Sequence, residues 1–129
     1  MAQRDEDKLS YEIIGTAIEV PRTLGGPGLL EAIYESALCH ELMLRNFHIQ
    51  KQLCIPVKYK NTVVRNSLCL DILVENTVII EVKATEKEHD IHKAQLLTYL
   101  RLTELKLGLL INFGQTCVKD GIHRVVNGL

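Results

Sequence analysis

The stretch from Leu68 to Ala84 constrains this chain more than any other, because charge sits where a fold can least tolerate it. It reads Leu-Cys-Leu-Asp-Ile-Leu-Val-Glu-Asn-Thr-Val-Ile-Ile-Glu-Val-Lys-Ala. Almost every residue is apolar or β-branched, as in strands buried inside a sheet, yet Asp71, Glu81 and Lys83 lie among them. Burying an unpaired carboxylate costs on the order of several kcal/mol, so a sequence that places two in such a setting uses them.

Glu75-Asn76 interrupts the apolar run with turn chemistry, which predicts a hairpin with one strand ending near Val74 and the next starting near Thr77. Alternation puts Glu81 and Lys83 on one face and Val82 on the other. Register is then decisive. A two-residue turn would set Asp71 opposite Ile80, with Glu81 facing away, whereas a three-residue loop from Glu75 to Thr77, or a bulge, sets Asp71 opposite Glu81. The irregular connection is the one expected, with Asp71, Glu81 and Lys83 on a single face.

Two convergent carboxylates form a hard-oxygen site of the kind that holds Mg²⁺ or Mn²⁺, with water and substrate phosphate completing the shell. Lys83 adds a compact cation that can orient a water nucleophile or offset charge on a phosphate. The competing reading is an edge strand with solvated charges, and the spacing alone does not exclude it.

Composition narrows the field. At 129 residues the chain is expected to form one domain over residues 1–129, and 47% hydrophobic with 24% charged residues is ordinary for a globular protein. The charged start, Met1 to Leu9, lacks the apolar core of a signal peptide, and no apolar run approaches membrane-spanning length, so a cytoplasmic location without a membrane partner is expected. Cys39, Cys54, Cys69 and Cys117 show no Cys-x-x-Cys spacing and read as buried thiols in a reducing compartment. A formal net charge of −1 supplies no general basic field, so any grip on nucleic acid must come from a local patch or from bound metal.

Elsewhere, Ile13, Ile14, Ala17, Ile18 and Leu24 recur at helical spacing from Leu9, with Ser10 as N-cap and Pro21 ending or kinking the helix. Gly25-Gly-Pro-Gly28 marks a loop, and a second helix follows from Leu29 to about Asn46. Glu31 near its start is open between a charge that favours the helix dipole and a site residue. His48 to Tyr59 reads as a strand with Pro56 at an edge or bulge, and Lys51, Lys58 and Lys60 are either a phosphate-facing fringe or a guard against aggregation. On a third helix, about His89 to Leu105, His92, Gln95 and Tyr99 share a face that suits either phosphate binding or solvent. Lys106 to Phe113 is a buried strand in which Gly108 permits close approach, and Gly121 to Asn127 a short last strand. The sum is an α/β domain, a mixed sheet flanked by helices, with the acidic site at one sheet edge.

The pattern of Asp71, nine residues, then Glu81-x-Lys83 resembles the signature of the PD-(D/E)xK nuclease superfamily. Gly28-Leu-Leu-Glu31-Ala-Ile-Tyr34 is a literal Gly-x-x-Glu-x-x-Tyr, and the chain resembles the GxxExxY family of that superfamily from Ile14 to the Asp120-Gly-Ile-His-Arg-Val-Val segment. It departs from the family in having Pro21 in place of a histidine before Arg22, a longer Leu24-Gly-Gly-Pro-Gly28, and Cys69 in place of a basic residue. The resemblance implies a restriction-endonuclease-like core. It further implies Mg²⁺ or Mn²⁺ held by Asp71, Glu81, the Val82 carbonyl and Glu31, with Lys83 assisting water. Gln95 and Tyr99 would form a Gln-x-x-x-Tyr element that orients Lys83 or the substrate, with His92 as an extra candidate. The expected activity is metal-dependent hydrolysis of nucleic-acid phosphodiesters, DNA ahead of RNA, with a homodimer as a means of gripping a duplex. The rivals are a nucleic-acid-binding or assembly module that cleaves nothing, and a structural domain that tunes a partner protein.

Overall fold

The computed structural model describes residues 5–129, apart from the side chains of residues 66 and 67; of the charged N-terminal stretch, residues 1–4 lie outside the described residues. The chain forms α1 (Asp5–Leu24), α2 (Glu31–Leu44), β1 (Ile49–Tyr59), β2 (Thr62–Val74), β3 (Val78–Lys83), α3 (Asp90–Thr103), β4 (Leu107–Asn112), a short 3₁₀ turn at Val118–Gly121, and β5 (Ile122–Val126). The strands make one five-stranded sheet in sequence order. All neighbours are antiparallel except β3 and β4, which α3 joins by a crossover.

The mixed sheet with flanking helices is the architecture expected. Ile13, Ala17 and Val20 of α1 and Tyr34, Leu38 and Leu42 of α2 are buried at helical spacing against Ile72, Val78, Ile80, Val82, Leu109 and Ile111 on one face of the sheet. On the other face Leu96 and Leu100 of α3 cover Leu70, Leu73, Ile79 and Leu110. A Cβ at Gly108 would stand 2.9 Å from the Leu96 side chain, so α3 does use the closeness that this glycine permits. No helix of the described residues is long and apolar enough to cross a membrane.

Three expectations are corrected. Ser10 is not an N-cap: α1 begins at Asp5, with Asp5, Glu6 and Asp7 in its first turn, and Ser10 is buried within it. Pro21 does not break the helix; it sits in the last turn, where its carbonyl accepts from the Gly25 and Gly26 N–H groups (2.8 and 2.9 Å) and closes the end. The cysteines are not all buried thiols. Cys54 and Cys69 face each other across β1 and β2 with Cα atoms 4.0 Å apart and form a disulfide, while Cys117 is exposed and only Cys39 is a buried free thiol.

β1 and β2 share a further irregularity. Ile49 of β1 and Ile72 and Val74 of β2 join the core under α1 and α2, but Leu53 and Leu70 join the opposite one. Strict alternation forbids that change. It is absorbed at Gln52, in the left-handed region at φ 49°, and at the facing Asp71, one residue from each strand, so the register is the same on both sides: Lys51 faces Ile72 and Leu53 faces Leu70. Pro56 lies on an edge strand at a register shift between Ile55 and Val57, as its chemistry predicted.

Candidate functional site

The hairpin loop sets the site. Val74 pairs with Val78 and Ile72 with Ile80, so Glu75, Asn76 and Thr77 form the three-residue connection, with Glu75 and Asn76 left-handed at φ 52° and 54°. One step further along this register Asp71 comes opposite Glu81. There the backbone ladder gives way to side chains: the Asp71 N–H donates to Glu81 Oε1 (3.3 Å) and the Val82 N–H donates to Asp71 Oδ2 (2.8 Å). The strands separate around two carboxylates. The acids are therefore not at a sheet edge, since β2 and β3 are the second and third of the five strands and β4 and β5 continue the sheet beyond them.

The remaining candidates come from three elements: β3 carries Glu81 and Lys83, α2 carries Glu31, and α3 carries His92, Gln95 and Tyr99. Glu81 is only 8% exposed. Burial, and after it the Asp71 charge, push its carboxyl up to about 8. Lys83, two residues along the same strand, is half-buried. Glu31, exposed in the first turn of α2, has its carboxyl raised by partial desolvation, with the Lys83 ammonium pulling down and Asp71 pushing up. From α3, Tyr99 is half-buried, and its hydroxyl is raised by burial and then by the Glu81 and Asp71 charges. His92 is lowered by burial and then by Lys83. Gln95 lies one turn before Tyr99 but is exposed and, among the described residues, hydrogen-bonds to none of the acids.

Two site residues escaped sequence reasoning. Glu35, one turn after Glu31, is buried, and Gln52 Nε2 donates to both of its carboxylate oxygens (3.0 and 2.9 Å) and to Asp71 Oδ1 (3.4 Å). Burial raises the Glu35 carboxyl, the Gln52 bond opposes that, and the Asp71 charge adds to it. The i, i+4 spacing of Glu31 and Glu35 was a usable signal. Gln52 carried none, because only its left-handed backbone turns it into the site.

Behind the site, Asn112 at 2% exposure fixes the chain that leaves Lys83. Its Oδ1 accepts from the Thr85 and Gly114 N–H groups (each 2.9 Å) and its Nδ2 donates to the Thr85 carbonyl (3.0 Å). Across the site, the Gly-x-x-Glu-x-x-Tyr element has a physical reading. Gly28 takes φ 109°, Glu31 opens the helix, and buried Tyr34 donates to the Gly26 carbonyl (2.7 Å), accepts from the Leu29 N–H (3.2 Å) and stacks on Phe113 at 4.9 Å. The motif is a lock that fixes where α2, and hence Glu31, begins.

A family model described as the PD-(D/E)XK nuclease superfamily matches residues 7–125. The chain belongs to the PD-(D/E)XK nuclease superfamily. No curated protein and no solved structure matches it. The five-stranded mixed sheet flanked by helices is thus a restriction-endonuclease-like α/β fold. Nucleases of this superfamily generally use divalent metals and act on nucleic acid. Among the described residues no three His, Cys, Asp or Glu side chains stand as a ready metal-holding group. The donor chemistry nevertheless fits a hard dication. The donors are hard oxygens, carboxylates with the Val82 carbonyl beside them, and Glu81 is held toward its neutral form first by burial and then by the Asp71 charge, a repulsion that a divalent cation would relieve.

Proposed function

We propose that the chain is a metal-dependent nuclease that hydrolyses phosphodiester bonds by a PD-(D/E)xK-type mechanism, within the GxxExxY branch, with residues 1–129 acting as one cytoplasmic nuclease domain. The observation that carries this reading is the meeting of Asp71 and Glu81 at one fork in the sheet, with Lys83 two residues from Glu81 on the same strand and the Glu31 carboxyl within reach of the Lys83 and Asp71 charges.

Asp71, Glu81 and the Val82 carbonyl would hold Mg²⁺ or Mn²⁺, with Glu31 on a second ion or a bridging water. The Val82 N–H points toward β2, and in an extended strand the carbonyl of the same residue points the same way, which favours its inclusion. When bound, the metal would supply Lewis-acid stabilisation of the phosphoryl oxygens. Lys83 would position the attacking water and offset negative charge on the phosphate. The water oxygen would form the new bond to phosphorus as it gives a proton to solvent, the bond to O3′ would break with O3′ taking a proton from solvent, and the products would be a 5′-phosphate and a 3′-hydroxyl. Tyr99, with Gln95 swung inward, would orient Lys83 or the substrate. Glu35 and Gln52 would hold Asp71.

Cleavage of labelled single-stranded, duplex and branched DNA and RNA with Mg²⁺ or Mn²⁺ tests the proposal. Wild type is expected to cut at least one substrate, and Asp71→Ala and Lys83→Ala to lose at least about 100-fold, the order for loss of a group that stabilises charge in the transition state. Absence of cleavage together with absence of calorimetric metal binding would sink the enzymatic reading.

A further inference from the structure

β1 and β2 do not stop where the sheet does. β3 pairs with β2 only from Ile72 to Val74, and β1 is an edge strand, so beyond Asp71 the two strands continue as a ribbon with neither outer edge paired. The ribbon ends in a tight turn at Lys60 and Asn61, both left-handed at φ 50° and 65°, between the Tyr59 and Thr62 pair. From Cys54 to Tyr59, at about 3.4 Å per residue, it runs for roughly 20 Å, its first residues Ile55 and Pro56 lining a cavity with Leu102, Thr103 and Leu105 and its tip lying beyond them.

Its composition is not that of a neutral strand pair. From Leu42 to Leu70 the chain contains no Asp or Glu and carries Arg45, Lys51, Lys58, Lys60 and Arg65, in a molecule whose formal net charge is −1. Lys51, Lys58, Lys60 and Arg65 are exposed. Among the described residues the ion pairs are Arg45–Glu41, His123–Glu88 and Arg124–Asp7, so none involves these four cations. Exposed Tyr59, Val63 and Val64 lie between them. Edge lysines guard against edge pairing, but that role does not account for the exposed apolar residues among them. This surface joins backbone-neutralising charge to apolar groups that can touch base edges.

We infer that the β1–β2 arm is a clasp for duplex DNA, entering the major groove while Lys58, Lys60 and Arg65 neutralise flanking phosphates. A two-stranded ribbon fits a B-form major groove about 12 Å wide. The deep, narrow major groove of an A-form RNA duplex excludes it. The arm starts at Gln52 and Asp71, the residues that close one side of the acidic fork, so DNA held on it passes the site. The inference deepens the nuclease reading, on which it rests for the identity of the polymer, but binding can be measured without cleavage.

The test is fluorescence anisotropy in a chelator. The probes are a 20-base-pair duplex DNA (an arbitrary length of about two turns), the matching RNA duplex, the single-stranded DNA and polyglutamate. Wild type should prefer duplex DNA to duplex RNA. The triple variant Lys58→Gln, Lys60→Gln, Arg65→Gln should bind duplex DNA at least about 10-fold more weakly, with a slope of log K against log salt shallower by about 2 to 3. Lys106→Gln with Lys119→Gln, exposed lysines away from the arm, should bind as wild type does. Equal affinity and slope in the triple variant, equal binding of both duplexes, or arm-dependent binding of polyglutamate instead of DNA would each overturn the clasp. Arm-dependent DNA binding in a protein that cuts nothing would support the clasp while the nuclease reading failed.

Discussion

Glu81 carries the largest single tension in the molecule. Burial first and the Asp71 charge second push its carboxyl from the ordinary 4.5 up to about 8 in the fold. Between those values the folded protein holds a proton that the unfolded chain gives up, so in the absence of metal stability must fall as pH rises through the window. Glu81→Gln keeps an amide oxygen to accept from the Asp71 N–H and removes the charge. Thermal midpoints in a chelator should therefore drop across this range in wild type, and much less in Glu81→Gln. Saturating Mg²⁺ should flatten the wild-type profile, since bound cation favours the ionised form. Parallel profiles for the two proteins would show that Glu81 is already ionised, its charge offset by a neighbour. Lys83, Glu81 and Asp71 were legible in the sequence because ionisable residues stand out in an apolar strand. Glu35 left only the i, i+4 spacing from Glu31 as a signal and Gln52 left none, since only the tertiary meeting of α2 with β1 makes them partners.

At the level of elements, the start of α2 depends on a tyrosine eight residues after the carbonyl that it holds. Tyr34→Phe preserves the stack on Phe113 and removes the bonds to Gly26 and Leu29. It should cost about 1 kcal/mol in denaturant unfolding, the usual net value of a hydrogen bond. Under the nuclease reading it should lower cleavage by more than this loss of folded protein explains, because Glu31 is no longer held in place. Cleavage equal to wild type would make the motif a matter of stability alone. The hairpin was legible because the loop length decides whether Asp71 and Glu81 meet, and only one length lets both acids serve. The position of the site within the sheet was not: the central place of β3 depends on the crossover to β4, which no local pattern reports. The end of α1 near Leu24 was legible, but the break expected at Pro21 does not occur, because a proline in a last turn obeys different rules from one in mid-helix.

Over the whole molecule, the Cys54–Cys69 crosslink stands at the junction between the body and the arm. It spans a sequence separation of 15, for which chain-entropy bookkeeping gives about 3 kcal/mol as an upper figure. Reduction, or Cys54→Ser with Cys69→Ser, should lower the global thermal midpoint by up to roughly 10 °C for a chain of this size. An unchanged midpoint would show that the hairpin is held by its turn and ladder without help from the crosslink. This bond was invisible in the sequence, because neither cysteine announces which residue lies across from it. The paired change of face at Gln52 and Asp71 has a different consequence. Since each strand gives up one residue there, the ribbon outside and the wall of the core inside are separable in design. Matched pairs of residues, one from each strand, could be added or deleted beyond the crosslink to lengthen or shorten the reach. Two residues added to each strand keep every outer side chain on its face, one added to each turns all of them over, and a single unmatched insertion bulges its own strand and turns over that strand's outer side chains alone. The protein thus carries a hinge point for modular change, an appendage whose length and lettering can drift while the acids beneath it stay fixed.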